Sequence, residues 1–181
     1  MARILLTYDD YAALPDDGRR YELHAGELWV TPAPWTLHQR VSVALGALLY
    51  GHVTTRNLGE VLVAPTDCIL SRHTVLQPDI LFVERERLSI ITERAVEGPP
   101  MLVVEILSPS TARIDLWRKR ALYAEHGVPW YWIVDPDART IDALKLVGAD
   151  WDAAGRLAGS TASRLPPLPE LLLDPAAIWR R

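Results

Sequence analysis

The run from Met101 to Leu107, Met-Leu-Val-Val-Glu-Ile-Leu, is apolar except for one acid, Glu105. A short and nearly continuous apolar run is typical of a strand that is buried on both faces. An unpaired carboxylate inside such a strand is costly, or its pKa shifts until the group becomes neutral. We therefore expect a central strand whose acid binds a metal ion or pairs with a cation.

Periodicity places other elements around this strand. Leu37, Val41, Leu45 and Leu49 recur at helical spacing, which predicts an amphipathic helix from about residue 34 to 52. A second helix is predicted from about 111 to 126, with Ser108-Pro109-Ser110 offering its N-cap. Further strand-like runs fall at 60–64, 67–70, 79–83, 130–134 and 140–147.

The N-terminal part predicts two small motifs. The segment Thr7-Tyr8-Asp9-Asp10 reads as a capping box that opens a short helix. Arg20 to Thr31 alternates like a β-hairpin, with Ala25-Gly26 as its turn. Strand alternation puts Glu22 on one face, and an apolar face carries, as predicted core residues, Tyr21, Leu23, Leu28 and Val30.

This order of elements indicates an α/β (α+β) fold around a mixed β-sheet flanked by helices. The length of 181 residues predicts a single domain, 1–181, with a core at about 7–147 and a C-terminal extension at 148–181. The chain is 49% hydrophobic and 23% charged, which excludes disordered and fibrous proteins. No apolar run approaches the ~18–20 residues of a membrane span. One cysteine, Cys68, and the absence of a secretory signal favour a cytoplasmic protein.

Charge further narrows the function classes. Nineteen basic and 23 acidic residues give a net charge of −4, which argues against a surface that binds nucleic acid non-specifically. It leaves open an enzyme with a local arginine patch, such as Arg113, Arg118 and Arg120. Lys119 and Lys145 are the two lysines of the chain, and the other 17 basic residues are arginines. Each lysine is therefore a candidate for a position that requires a compact ammonium.

Asp79 and Glu105 are the candidate metal ligands. Asp79 follows Pro78 at the start of an apolar strand. If the two strands are neighbours, both carboxylates converge, and two carboxylates with waters suit Mg²⁺, with Mn²⁺ as a substitute. The alternatives are an edge position for Asp79 and a structural pair between Glu105 and an arginine.

The helix after the Glu105 strand supplies a cation. Asp115, Lys119 and Tyr123 are spaced four apart and so share one helical face. The alternative is a surface pair between Asp115 and Lys119, worth ~0.3–0.5 kcal/mol. Because this helix begins directly after the strand, Lys119 can reach the two acids. The trio Asp79, Glu105 and Lys119 suits metal-assisted hydrolysis of a phosphodiester.

These segments, taken in order, resemble the Uma2 family of restriction-type endonucleases, within the PD-(D/E)XK nuclease superfamily. The resemblance covers roughly residues 7–147, and the segments that carry it are Tyr21–Leu28, Pro34 with His38-Gln39, Pro78–Val83, Val103–Thr111, Asp115 with Lys119 and Tyr123, and Gly127–Pro136.

The resemblance implies a restriction-endonuclease-like core, Mg²⁺ as cofactor and DNA as substrate. It assigns Asp79 to the aspartate of the PD element and Glu105 to the second acidic position. The superfamily's lysine falls two residues later, where this chain has Leu107, so Lys119 is expected to supply the ammonium from the helix. It also makes Glu22 a possible third carboxylate, with an exposed surface position as the slightly favoured alternative.

His38, near the start of the first long helix, is a candidate for phosphate contact or proton transfer, or else a local hydrogen-bonding residue. The function predicted is a Mg²⁺-dependent DNA endonuclease, acting as a homodimer because cutting a duplex needs two sites. Two alternatives stay open: a catalytically inactive binding protein with the nuclease fold, and a metal-dependent hydrolase of small phosphorylated molecules.

Overall fold

The structure, a computed structural model, describes residues 4–31, 33–108 and 114–179, with 114–116 described by their backbone alone. The helices are α1 (Tyr8–Ala12), α2 (Thr36–Arg56), α3 (Ile114–Glu125) and α4 (Pro175–Ile178), and a 3-10 helix spans Arg85–Ile90. The strands are β1 (Arg20–His24), β2 (Glu27–Thr31), β3 (Gly59–Val63), β4 (Cys68–Ser71), β5 (Thr74–Leu76), β6 (Ile80–Glu84), β7 (Val96–Glu97), β8 (Leu102–Ile106), β9 (Trp130–Asp135), β10 (Thr140–Val147), β11 (Asp150–Leu157), β12 (Ser163–Arg164) and β13 (Leu172–Leu173).

The fold is mixed α/β, as predicted, but it contains two large sheets instead of one. A six-stranded sheet has the order β11-β10-β9-β8-β6-β3, and a five-stranded sheet has the order β2-β1-β5-β4-β7. In the larger sheet β8 pairs parallel with β9 and antiparallel with β6. The sequence did not predict β5, which pairs with β1 and leads the chain from the small sheet into the large one. This strand is too short for its alternation to be recognised.

Each face of the six-stranded sheet is covered. One face packs against α2 through Val41, Leu45 and Leu49, as the helical spacing predicted, and also through Val53. Leu37, the first residue of the predicted apolar face, is 41% exposed. The opposite face packs against α3 and the five-stranded sheet. The strand β8 is buried along its whole length, as expected of a strand covered on both sides.

The N-terminal motifs are confirmed. Thr7 and Asp10 exchange the two hydrogen bonds of a capping box at the start of α1. Ala25 and Gly26 both have positive φ, 51° and 84°, as a two-residue hairpin turn that follows the strand twist requires.

The predicted apolar face of the hairpin is wrong in part. Leu23 is fully buried, but Leu28 is 37% exposed and Val30 is 54% exposed. The reason is that β2 is the edge strand of its sheet. On β1 both faces are covered, so Glu22 and His24 are buried as well as Leu23.

The C-terminal part contributes to the main core. The strand β11 was not predicted, and its Leu157 joins Leu165, Leu173 and Ile178 among the buried residues of that core. Within the described ranges, no helix combines the length and the apolar character needed to cross a membrane.

Candidate active site

Asp79 and Glu105 lie side by side at one end of neighbouring strands. Ile80 on β6 pairs with Val104 on β8, so the residue preceding Ile80 lies beside the residue following Val104. Asp79 ends the short link 77–79 that carries the chain from β5 in one sheet to β6 in the other. The alternative of an edge position for Asp79 is therefore wrong, because β6 lies inside the larger sheet and Asp79 is buried.

The Asp79 carboxylate is held through one oxygen. Its Oδ2 accepts a hydrogen bond from the Ile106 backbone N–H at 2.7 Å and lies 3.1 Å from Nε2 of His38. Oδ1 has no hydrogen-bond partner among the described residues. The predicted helix thus brings His38 to Asp79, a contact that fits both a role in the site and the alternative of a local hydrogen-bonding residue. One oxygen of Asp79 has no protein partner among the described residues.

Glu105 is bound by two side chains of α3. Its Oε1 accepts hydrogen bonds from the Tyr123 hydroxyl at 2.7 Å and from Lys119 Nζ at 3.1 Å. Burial, together with the negative charges of Asp79 and Glu22, raises the pKa of Glu105 to about 7, against the lowering effect of Lys119. Burial also raises the pKa of Tyr123 far above its usual range, so its hydroxyl stays a donor. The alternative, a structural pair of Glu105 with an arginine, is not seen among the described residues, where the cation that Glu105 binds is Lys119.

Glu22 completes the group. It is only 3% exposed, so the surface position favoured for it is wrong. Its Oε1 lies 2.8 Å from Lys119 Nζ and accepts the Gln77 backbone N–H at 2.6 Å, and its Oε2 lies 3.2 Å from His24 Nε2. Burial favours the neutral acid, but Lys119 and these hydrogen bonds outweigh it and lower the pKa of Glu22 to about 2.

Lys119 is an interior residue, 9% exposed, that bridges Glu22 and Glu105. Burial opposes its charge, but the two carboxylates raise its pKa above the ordinary lysine value, so the ammonium is retained. The alternative of a solvent-exposed surface pair is wrong for Lys119. The side chain of Asp115 lies outside the described residues, as does the start of the predicted helix at Thr111 and the side chain of Arg113.

These side chains line one cleft of about 90 Å³. Glu22, Asp79, Glu105 and Lys119 contribute to its wall, and so does Leu107, where the sequence resemblance led us to expect a lysine. With every acid ionised, the three carboxylates outweigh the positive charges of Lys119 and Arg20 and leave the cleft with a net charge of −1. Within the described ranges, no group of three or more His, Cys, Asp or Glu residues is arranged as a metal site. Two carboxylates and waters are nevertheless sufficient for Mg²⁺.

Several polar residues of the cleft were not selected from the sequence, among them His24, Arg20 and Gln77. His24 was placed on the face of Glu22 without a role, although this alternation carries it into the cleft. Arg20 could have been found by the same alternation. Gln77 acts through its backbone N–H, for which the sequence gives no signal. The imidazole Nδ1 atoms of His24 and His38 are buried and have no partner within the described chain.

Arg118, one member of the proposed arginine patch, is already engaged in contacts within the chain. Arg118 binds Glu27 and the carbonyl oxygen of His24, and its guanidinium lies 4.8 Å above the Trp29 ring. These contacts fasten α3 to the hairpin and so hold Lys119 over the cleft.

Known proteins resemble the chain in sequence and in fold. The Uma2 family profile, described as "Putative restriction endonuclease", matches residues 8–176. A crystal structure described as a "putative nuclease belonging to DUF820" from Anabaena variabilis superposes with a TM-score of 0.79 at 18% identity, covering 96% of this chain and 97% of that one. A search of curated proteins finds no match.

Proposed function

The chain belongs to the Uma2 family, and on that premise we propose that it is a magnesium-dependent endonuclease that hydrolyses phosphodiester bonds of DNA. One observation carries the proposal: Glu22, Asp79, Glu105 and Lys119, from three strand regions and one helix, converge in a single cleft. Burying four charged groups together is costly for stability alone, so such a cluster favours a site with a chemical function.

Asp79 and Glu105 are the residues that would hold Mg²⁺. The fit rests on their adjacency, on the oxygen of Asp79 without a protein partner and on the net negative charge of the cleft. When bound, the ion would polarise a phosphoryl oxygen and lower the pKa of a coordinated water.

The surrounding residues orient these groups. Tyr123 donates to Glu105, and the backbone N–H of Ile106 and the His38 ring fix the rotamer of Asp79. In this proposal the Lys119 ammonium stabilises the negative charge that develops on the phosphate during hydrolysis. The resemblance implies a lysine at position 107, where this chain has Leu107. Lys119 lines the same cleft and supplies the ammonium instead.

We propose a homodimer on DNA, because cutting both strands of a duplex requires two sites. Sedimentation analysis of the free and DNA-bound protein tests this. A protein that stays monomeric on DNA and still cuts both strands would contradict the dimer.

The function is tested by incubating supercoiled plasmid with Mg²⁺ and the wild type, Asp79→Asn or Glu105→Gln. We expect nicked or linear product from the wild type and at least ~100-fold less from either variant, in line with the loss of an essential electrostatic group. Asp152→Asn, at an exposed carboxylate outside the cleft, is the matched control and should cut normally. Calorimetric titration with Mg²⁺ should show binding by the wild type and the control only.

One observation favours an inactive binding protein instead. Lys119 itself neutralises part of the charge of Glu22 and Glu105, as a structural ion-pair network would. This alternative predicts no Mg²⁺ binding and no cleavage, and it leaves DNA binding unchanged in Asp79→Asn.

A further inference from the structure

Arg20 enters the cleft beside the acidic group. It lies on β1 two residues before Glu22, so strand alternation places both side chains on the face that lines the cleft. Its Nε donates a hydrogen bond to the side-chain oxygen of Gln77 at 3.2 Å. The guanidinium is therefore anchored by a neutral amide and not by a carboxylate.

Gln77 is itself held by further hydrogen bonds. The Gln77 amide donates to Oδ1 of Asp67 at 2.8 Å, and the same oxygen accepts the Tyr11 hydroxyl at 2.8 Å. The backbone N–H of Gln77 holds Glu22 at 2.6 Å. One residue thus sets the spacing between the Arg20 guanidinium and a carboxylate of the site.

The other cations near the cleft are bound to carboxylates. Lys119 bridges Glu22 and Glu105, and Arg118 binds Glu27. Arg20 has no carboxylate partner among the described residues, and its two terminal nitrogens make no hydrogen bond there. A guanidinium that is held at Nε and open at both terminal nitrogens presents the planar fork that binds two phosphate oxygens at once.

We propose that Arg20 binds a backbone phosphate of the nucleic acid in the cleft, with Gln77 as its positioning residue. The proposal rests on the proposed function and adds a substrate-binding residue to it. It also explains how a protein with net charge −4 holds a polyanion against three carboxylates: a fixed arginine offsets their repulsion at the point of contact.

The test measures binding of a fluorescein-labelled DNA duplex by anisotropy, with Ca²⁺ in place of Mg²⁺, over a range of KCl concentrations. Arg20→Gln should weaken binding about 10-fold or more and should reduce the slope of log K against log salt by about one. Arg20→Lys keeps the charge but lacks the fork, so it should retain the slope and still bind more weakly.

Arg19→Gln is the matched control. It removes the same charge one residue away, where the side chain is 66% exposed and pairs with Asp17. Equal affinities and slopes for the Arg19 and Arg20 variants, with normal Mg²⁺-dependent cleavage by the wild type, would overturn the role of Arg20 and leave the endonuclease intact. Absence of both DNA binding and cleavage in the wild type would overturn both. A normal unfolding transition of Arg20→Lys excludes a folding defect as the cause of weaker binding.

Discussion

Replacing Lys119 by methionine removes the ammonium that bridges Glu22 and Glu105 and keeps most of the side-chain volume. Both carboxylates are then left buried without their cation. Removing one partner of a buried ion pair costs about 3–5 kcal/mol. Since 1 kcal/mol corresponds to about 2–4 °C in Tm for a domain of this size, we expect Tm to fall by roughly 6–20 °C.

The variant should also respond to pH and to metal. Without Lys119 the two acids have pKa values raised above those of the unfolded chain, so the stability loss should be larger at pH 8 than at pH 5. Removing one positive charge leaves the cleft more negative, so Mg²⁺ should raise the Tm of the variant more than that of the wild type. Saturation to 100 times Kd stabilises by about 2.7 kcal/mol.

Thermal and urea unfolding, followed by circular dichroism with and without Mg²⁺, measure these effects. Lys145→Met is the matched control, because Lys145 is the second lysine and is exposed, and its Tm should change little. A loss for Lys119→Met no larger than for the control would refute the interpretation of Lys119 as a buried bridge.

Three further outcomes follow from the structure. Because the pKa of Glu105 is raised to about 7, Mg²⁺ affinity in calorimetry should rise with pH up to about 7 and then level off. The contribution of the protonated acid to the free energy of unfolding should be lost as the pH rises through the same range. A flat affinity profile from pH 5 to 8 would contradict this. Burial raises the pKa of the Cys68 thiol to about 12, so a disulfide reagent at pH 8 should label it only after urea unfolding, and rapid labelling of the native protein would count against the buried position. Gly59→Ala should destabilise by at least about 2 kcal/mol in urea unfolding, since φ is +146° and a Cβ would lie 2.0 Å from the Val83 carbonyl oxygen, whereas Gly51→Ala on the open face of α2 should stabilise; equal effects would show that Gly59 is not constrained.

Prediction from sequence succeeded where one local pattern determines the structure. The apolar run around Glu105, the spacing of Lys119 and Tyr123, and the hairpin turn at Ala25-Gly26 each carry their own signal. Prediction from sequence failed where the burial of a residue depends on elements that are distant in the chain. The burial of Glu22 follows from the packing of α3 onto the hairpin, and an alternating strand alone does not reveal which of its faces a helix will cover.

The division into two sheets was missed for the same reason. It depends on β5, whose register is set by β1 and β4 and whose own sequence is short. The site nitrogen contributed by the backbone of Gln77 is equally invisible, because any residue except proline carries that donor.

The bridging position of Lys119 also determines when the site can assemble during synthesis of the chain. Its first acid is residue 22 and its cation is residue 119, so a nascent chain holds uncompensated carboxylates until α3 has been made and has packed. Contacts of such long sequence separation form late in folding. A chain that has not yet reached α3 therefore contains no assembled site, and any activity of the cleft begins only after that helix has been synthesised and has packed.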